Sequence, residues 1–283
     1  MPLLRSLDSI REKDKVLMIP VADNLHIMNP IVAKALKKKD PLPLRKIAED
    51  CKRAGAYAMD INPGPLRHHA EEIITFIIET VQDTFGGRFL LDTVQADVLE
   101  AGIAACTNSP IINGFSLEEI KVNSILPLAA KYQTEIIGFL TNEKGQVPLR
   151  AEERLAVASQ LVAKAEESGV SPERVIIDPV LVPLTWQDGT RYNREFLEVL
   201  HLLPQLFEKP IRTIAGLSNL VAGSPDRVVR ATVETNFILI LAAFKLDFIL
   251  MNVTQKSNLN AIHLSQLLLG EKVFTWQEVK DSL

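Results

Sequence analysis

Cysteine is nearly missing from this chain of 283 residues: Cys51 and Cys106 are too few and too far apart for a disulfide framework or a metal-binding spacing, and both read as buried thiols. An excess of cations is missing too. With 31 basic and 35 acidic residues the net charge is −4, which leaves no electrostatic footprint for nucleic acid or an anionic membrane surface. Long apolar runs are absent as well. The most apolar stretch, 237–251, is broken by Lys245 and Asp247, and neither side of the break reaches across about 30 Å of hydrocarbon. Residues 1–15 mix Arg5, Arg11, Lys13 and Lys15 with acids and hold no apolar signal segment, so a cytoplasmic location is expected. No linker rich in Gly, Ser or Pro divides the chain, and one domain over residues 1–283 is expected. None of the histidines falls into an HExxH or similar ligand spacing, so no bound metal is expected.

What is present is a regular alternation. Eight short apolar runs, at 16–21, 56–61, 88–91, 110–112, 135–140, 175–177, 211–215 and 248–251, read as strands. Between and after them, amphipathic stretches predict helices at 42–53, 68–84, 96–106, 117–132, 151–168, 193–203, 225–244 and 258–269, with a short extra one at 31–38. Strands that alternate with helices connect by right-handed parallel crossovers, and an eightfold barrel needs about 250 residues. The expectation is therefore an α/β fold, a (β/α)8 TIM barrel. Ser116 with Glu119 reads as a capping box, and Ser171-Pro172 and Ser224-Pro225 as helix starts. Gly55, Gly102 and Gly169 read as helix ends.

Nearly every apolar run stops at Asp or Asn: Asp23 and Asn24, Asp60 and Asn62, Asp92, Asn113, Asn142, Asp178, Asn219 and Asn252. In a parallel barrel the C-terminal strand ends surround one pocket, so these groups form a ring around a ligand. The ring is poor in cations. No predicted strand ends in Lys, which removes a Schiff-base nucleophile and argues against a phosphorylated ligand. Carboxylates only accept hydrogen bonds, while amides donate and accept, so the mixture suits a flat neutral heterocycle with amino, ring N–H and carbonyl groups, as in a pterin. Asp178 is the residue expected to accept from such a ligand; a carboxylate that caps its own turn is the plainer alternative. Three Asp on separate strand ends could also converge on a hard cation. Gly216-Leu217-Ser218-Asn219, after the seventh run, offers close backbone approach and directional polar groups.

Taken in order, Ala58-Met59-Asp60-Ile61-Asn62-Pro63-Gly64-Pro65, Leu91-Asp92-Thr93, Ile111-Ile112-Asn113-Gly114, Ile177-Asp178-Pro179 and Gly216-Leu217-Ser218-Asn219 resemble the pterin-binding barrel family. Within it the chain looks most like the methyltetrahydrofolate:corrinoid protein methyltransferases. That resemblance implies that Asp92, Asn113 and Asp178 bind the pterin edge, with Asp60 and Asn62 beside them. It implies that Asn219 hydrogen-bonds N5 of the folate and its methyl group, so that Asn219 and Asp178 carry the catalysis. Asn24 matches a polar residue after the first strand, and Arg227 a basic residue after the Ser-Asn loop. Val21-Ala22 stand where the family commonly has Glu-Arg, and Thr93-Val94-Gln95 replace a more usual Ser-Thr-Asn. The implied substrates are tetrahydrofolate or methyltetrahydrofolate and a corrinoid (cobalamin) carried by a partner protein; the implied assembly is a homodimer. Dihydropteroate synthase is the nearest rival, although its Thr-Pro-Asp-Ser loop is replaced here by Ala22-Asp23-Asn24-Leu25-His26. A folate-binding subunit without activity and an unrelated metal-dependent lyase or hydrolase stay open on residues alone.

Overall fold

The computed structural model describes residues 18–65, 68–224, 226–270 and 272–281. Eight parallel strands close into a barrel in chain order: β1 (Ile19–His26), β2 (Ala58–Asn62), β3 (Arg88–Leu91), β4 (Ile111–Phe115), β5 (Glu135–Phe139), β6 (Val175–Asp178), β7 (Arg212–Gly216) and β8 (Phe248–Met251). β8 pairs back onto β1, with Val21 opposite Leu250, which leaves no free sheet edge. Around it lie α1 (Pro30–Lys38), α2 (Pro41–Arg53), α3 (Ala70–Phe85), α4 (Ala96–Ala105), α5 (Glu119–Tyr132), α6 (Ala151–Glu167), α7 (Gly189–Leu202), α8 (Arg227–Ala243) and α9 (Lys256–Leu268), followed by α10 (Trp276–Asp281). No helix among the described residues is long and apolar enough to cross a membrane.

Helix faces follow the sequence pattern. In α6, Ala151, Arg154, Val157, Ala158, Leu161, Val162 and Ala165 are buried, a stripe at spacings of three and four that turns toward the sheet. Each fully buried Leu or Val on such a stripe contributes about 1.5–3 kcal/mol against leaving it in water.

Inside the barrel the side chains stack in layers, because alternate residues of a strand point inward. Val21, Ala58, Leu90, Ile111, Ile137, Ile176, Ile214 and Phe248, one from each strand, pack together as the central layer. Two residues earlier on β3, β5 and β7 come Arg88, Glu135 and Arg212. The Glu135 carboxylate pairs with both guanidinium groups, and Arg88 also donates to the Tyr57 hydroxyl at 3.1 Å, which closes the N-terminal end of the barrel. Two residues later come Asp23, Asp60, Asp92, Asn113, Phe139, Asp178, Gly216 and Leu250, and all eight line the cavity at the other end.

Several local expectations are corrected. β1 runs on to His26, because a register shift between Ala22 and Leu25 lets the chain bulge at Asp23-Asn24 and resume pairing at Leu25 opposite Ile61. Val16 and Leu17 of the first predicted run lie outside the described residues. Ser116 forms no capping box with Glu119: its hydroxyl donates to Glu118 Oε2 at 2.7 Å, and Glu118 itself occupies the cap of α5. Asp226, not Ser224, caps α8, accepting from the Val228 and Val229 N–H groups; Pro225 lies outside the described residues. Ser171 precedes only a short 3-10 turn and makes no cap bond. Gly55 and Gly169 do follow helices with φ of +77° and +87°, but Gly102 lies inside α4. A Cβ there would come within 3.0 Å of Ile74 and 3.3 Å of Leu91, so this glycine serves close packing. Cys51 is buried in α2 and Cys106 is partly buried just after α4; both are free, and burial pushes each thiol up to about 12.

Candidate active site

The C-terminal strand ends enclose a cavity of about 780 Å³. Its base is the polar inward layer, and its neighbours fix these side chains in pairs. Asn113 Nδ2 donates to Asp60 Oδ1 at 3.2 Å, and Asn62 Nδ2 donates to Asp92 Oδ2 at 2.5 Å. Asn62 is itself held, since its Oδ1 accepts from the Gly64 N–H at 3.0 Å. Asp178 Oδ1 accepts from the Val180 N–H at 2.7 Å. The plainer reading of Asp178 as a turn cap thus describes one of its oxygens. Its other oxygen, like one oxygen each of Asp60 and Asp92, takes no hydrogen bond from a described residue.

Burial controls the charge of this layer. It pushes Asp178 up to about 7, opposed by the Val180 N–H and by the Arg154 guanidinium. It pushes Asp92 up to about 6, opposed by the Asn62 amide and Lys121. Asp60 is raised well above the usual carboxylate range, first by burial and then by the charge of Asp92 at the end of the neighbouring strand, with the Asn113 amide pulling the other way. N–H donors favour the ionised form of acids raised by burial in this way, so the layer can accept hydrogen bonds from several N–H groups of one ligand. Arg154 supports it from behind. Fully buried, it donates to the carbonyls of Pro148 (2.8 Å), Pro179 (3.0 Å) and Tyr192 (3.0 Å), which fixes the chain next to Asp178.

The cavity brings together Asn24, Asp60, Asn62, Asp92, Asn113, Asp178, Gly216, Ser218, Asn219 and Arg227 from the sequence reading. Asn142 is the exception. It stands beyond the last residue of β5, where its Oδ1 accepts from the Lys144 and Gln146 N–H groups at 3.0 Å each, and it lines a separate cavity with Trp186 and Tyr192. Asn24 lines the site but is committed elsewhere: it donates to Asn252 Oδ1 at 2.7 Å and accepts from the Val253 N–H at 3.1 Å, which ties β1 to the loop after β8. Asn219 is exposed on the rim, in a short 3-10 turn after Gly216. A Cβ on Gly216 would sit 3.4 Å from the Asn219 amide nitrogen, so the glycine leaves that side chain room.

Sequence reasoning passed over four groups. Asp23 was read as part of the ring but not as a site residue. Arg230 and Glu234, from α8, and Gln255, which precedes α9, also line the cavity, and none of the three is a strand end. Arg227 and Arg230 bring two cations to a pocket whose strands carry none, so the expected scarcity of positive charge holds only for the strands. The signal for Glu234 was its spacing: with Ile238, Leu241 and Ala242 it completes the buried stripe of α8. Among the described residues no group of three His, Cys, Asp or Glu is arranged to hold a metal ion.

Known proteins share this architecture. The Vibrio fischeri ES114 7,8-dihydropteroate synthase superposes with a TM-score of 0.65 at 17% identity, covering 90% of this chain and 94% of that one. A Xanthomonas albilineans dihydropteroate synthase solved with 4-aminobenzoic acid gives 0.64 at 17% identity, covering 89% and 90%. At that identity the likeness is one of fold. In sequence, the chain is 24% identical over 257 residues to a methylcorrinoid:tetrahydrofolate methyltransferase from Eubacterium limosum, covering 89% of this chain and 92% of that protein. The pterin binding enzyme family matches residues 31–247, from α1 through β7 to the start of β8, and the chain therefore belongs to the pterin binding enzymes.

Proposed function

We propose that this protein is a methyltransferase that moves a methyl group between N5 of tetrahydrofolate and the cobalt of a corrinoid protein. The observation that carries the reading is the buried layer of Asp60, Asp92 and Asp178, which line one cavity and each keep an oxygen that takes no hydrogen bond from a described residue. Such a set fits the amino and ring N–H edge of a pterin and leaves the opposite side of the ligand toward the mouth. The Eubacterium limosum relative, alike over nearly the full length of both chains, supports methyl transfer as the chemistry.

In this reading Asp92, Asn113 and Asp178 hold the pterin edge, Asn62 orients Asp92, and Asp60 orients Asn113. The corrinoid supplies the cobalt that takes or gives the methyl group, and its carrier protein docks over the mouth. The chain's own contribution is position and electrostatics. Asn219, on the rim above the ring, donates its amide N–H to N5 as the methyl leaves and charge develops there. The enzyme works in the cytoplasm as a homodimer.

The test is single-turnover absorbance of a Co(I) corrinoid with methyltetrahydrofolate, and of methylcobalamin with tetrahydrofolate. Methyl transfer is expected in both mixtures, with Asn219→Ala slowing turnover about 100-fold while folate affinity changes little. Equal losses of rate and affinity would remove Asn219 from its role. Folate binding without transfer in either mixture would favour a binding subunit. One observation favours a second reading: Arg227 and Arg230 could meet a pterin pyrophosphate, as a dihydropteroate synthase requires, and incubation with that substrate and 4-aminobenzoate would reveal such an activity.

A further inference from the structure

Asp23 is a carboxyl that the pterin edge does not use. It stands on the inward face of β1, two residues past Val21, and lines the same cavity as Asn219. Ser218 and Asn219, neighbours in the turn after β7, line that cavity with it, so the Asp23 carboxyl and the amide placed at N5 share one wall-bounded space. Glu234 and Arg230, one turn apart on α8, line the same cavity. Glu234 is buried and receives the Gln255 and Asn258 amides at 3.5 Å each, so its position is fixed. Asp60 on β2 and the Cys51 thiol on α2 are the other titratable groups that sense Asp23.

Methyl transfer at N5 has a proton to account for, and an amide such as Asn219 is no net source or sink for it. We propose that Asp23, which shares the cavity with Ser218, Asn219, Glu234 and Arg230, is the acid and base for the folate N5, an inference that rests on the methyl-transfer reading. Toward the corrinoid, the C–N5 bond breaks and its electron pair stays on nitrogen. The methyl carbon bonds to the pair supplied by Co(I), and the Asp23 proton passes to N5, leaving a carboxylate. In the other direction the N5 pair attacks the methyl carbon, the Co–C pair returns to cobalt as Co(I), and the proton on the N5 ammonium passes to the carboxylate. Nothing else is consumed.

Burial, and then the charge of Glu234, push Asp23 up to about 7, while its own backbone, Ser218 and Arg230 pull it down. Transfer toward Co(I) needs the acid and falls as pH rises through that value; transfer toward tetrahydrofolate needs the carboxylate and rises through it.

The experiment measures both single-turnover rates from pH 5.5 to 8.5, with free cob(I)alamin and methylcobalamin as probes, in the wild type and in Asp23→Asn, Glu234→Gln and Arg230→Gln. Asp23→Asn is expected to lose about 100-fold in rate and both limbs of the profile, with methyltetrahydrofolate affinity within about threefold. Glu234→Gln removes a like charge and moves the limbs to lower pH by about one unit; Arg230→Gln removes an opposite charge and moves them to higher pH. A merely structural role moves neither. An active wild type whose limbs survive in Asp23→Asn, or do not move in opposite directions in the two flanking variants, overturns the inference and leaves the methyltransferase standing. Should Asp23→Asn fail to fold, the flanking variants decide. A wild type that binds folate and transfers nothing in either direction takes both readings down together.

Discussion

Replacing Asp178 by Asn should make the protein more resistant to heat at alkaline pH and, on the proposed function, weaken its binding of folate. The carboxyl titrates near 7 in the fold against 3.8 for the model group, because burial disfavours its charge. Between those values the unfolded chain has lost a proton that the folded chain keeps, so raising the pH favours unfolding; above about 7 the penalty is complete and constant. From pH 5 to pH 8 the wild type therefore loses about 2–3 kcal/mol at this residue that the neutral amide does not lose. For a chain of this size that is about 5 °C in Tm. Asn keeps an oxygen for the Val180 N–H, and any fixed cost of burying its amino group drops out when the two pH values are compared. Asp23, Asp60 and Asp92 are raised in both proteins and cancel too. The assay is thermal unfolding by circular dichroism at pH 5 and pH 8, with and without tetrahydrofolate. Folate should stabilise the variant less, since one charged hydrogen bond of about 1.5–3 kcal/mol is lost, a drop of about 10- to 100-fold in affinity. A Tm difference between variant and wild type that is the same at both pH values would refute the electrostatic account.

Two further substitutions separate support from contact. Arg154→Met strands the carbonyls of Pro148, Pro179 and Tyr192 and should cost about 3–5 kcal/mol by urea denaturation with an unchanged m-value; a loss under 1 kcal/mol would mean that water replaces the guanidinium. Asn142→Ala removes a loop hydrogen-bond hub outside the cavity and should cost about 1 kcal/mol of stability with folate affinity intact; a tenfold loss of affinity, by calorimetry, would return Asn142 to the site.

Much of the barrel was legible because strands and helices differ in period. Arg88–Leu91 and Phe248–Met251 match their runs end for end, and the predicted 42–53 helix starts one residue early, at Pro41. What escaped depended on contacts distant in sequence. Asp23 and Asn24 look like the polar end of a strand; only the pairing of Leu25 with Ile61 reveals a bulge that the strand passes through. Asn142 follows an apolar run just as Asn113 does. The difference is that Asn113 is two residues beyond the interior Ile111 and points inward, while Asn142 lies past the end of β5, where its own loop claims it. Glu234 carries the opposite lesson. A glutamate on a helix reads as solvated until the burial of Ile238 and Leu241 below it places it on the inner face.

Among the described residues the plug of Arg88, Glu135 and Arg212 makes the barrel a vessel with one door, at the other end. A small molecule that reaches the layer of Asp60, Asp92 and Asp178 enters past Asn219 and Arg227, and it leaves by the same way. A carrier protein seated over that door for methyl transfer would hold the folate captive until it departs. On the proposed methyl transfer, order of arrival and departure would then be a matter of plumbing: the small substrate would go in first and come out last, and the exposed rim would belong to the visitor.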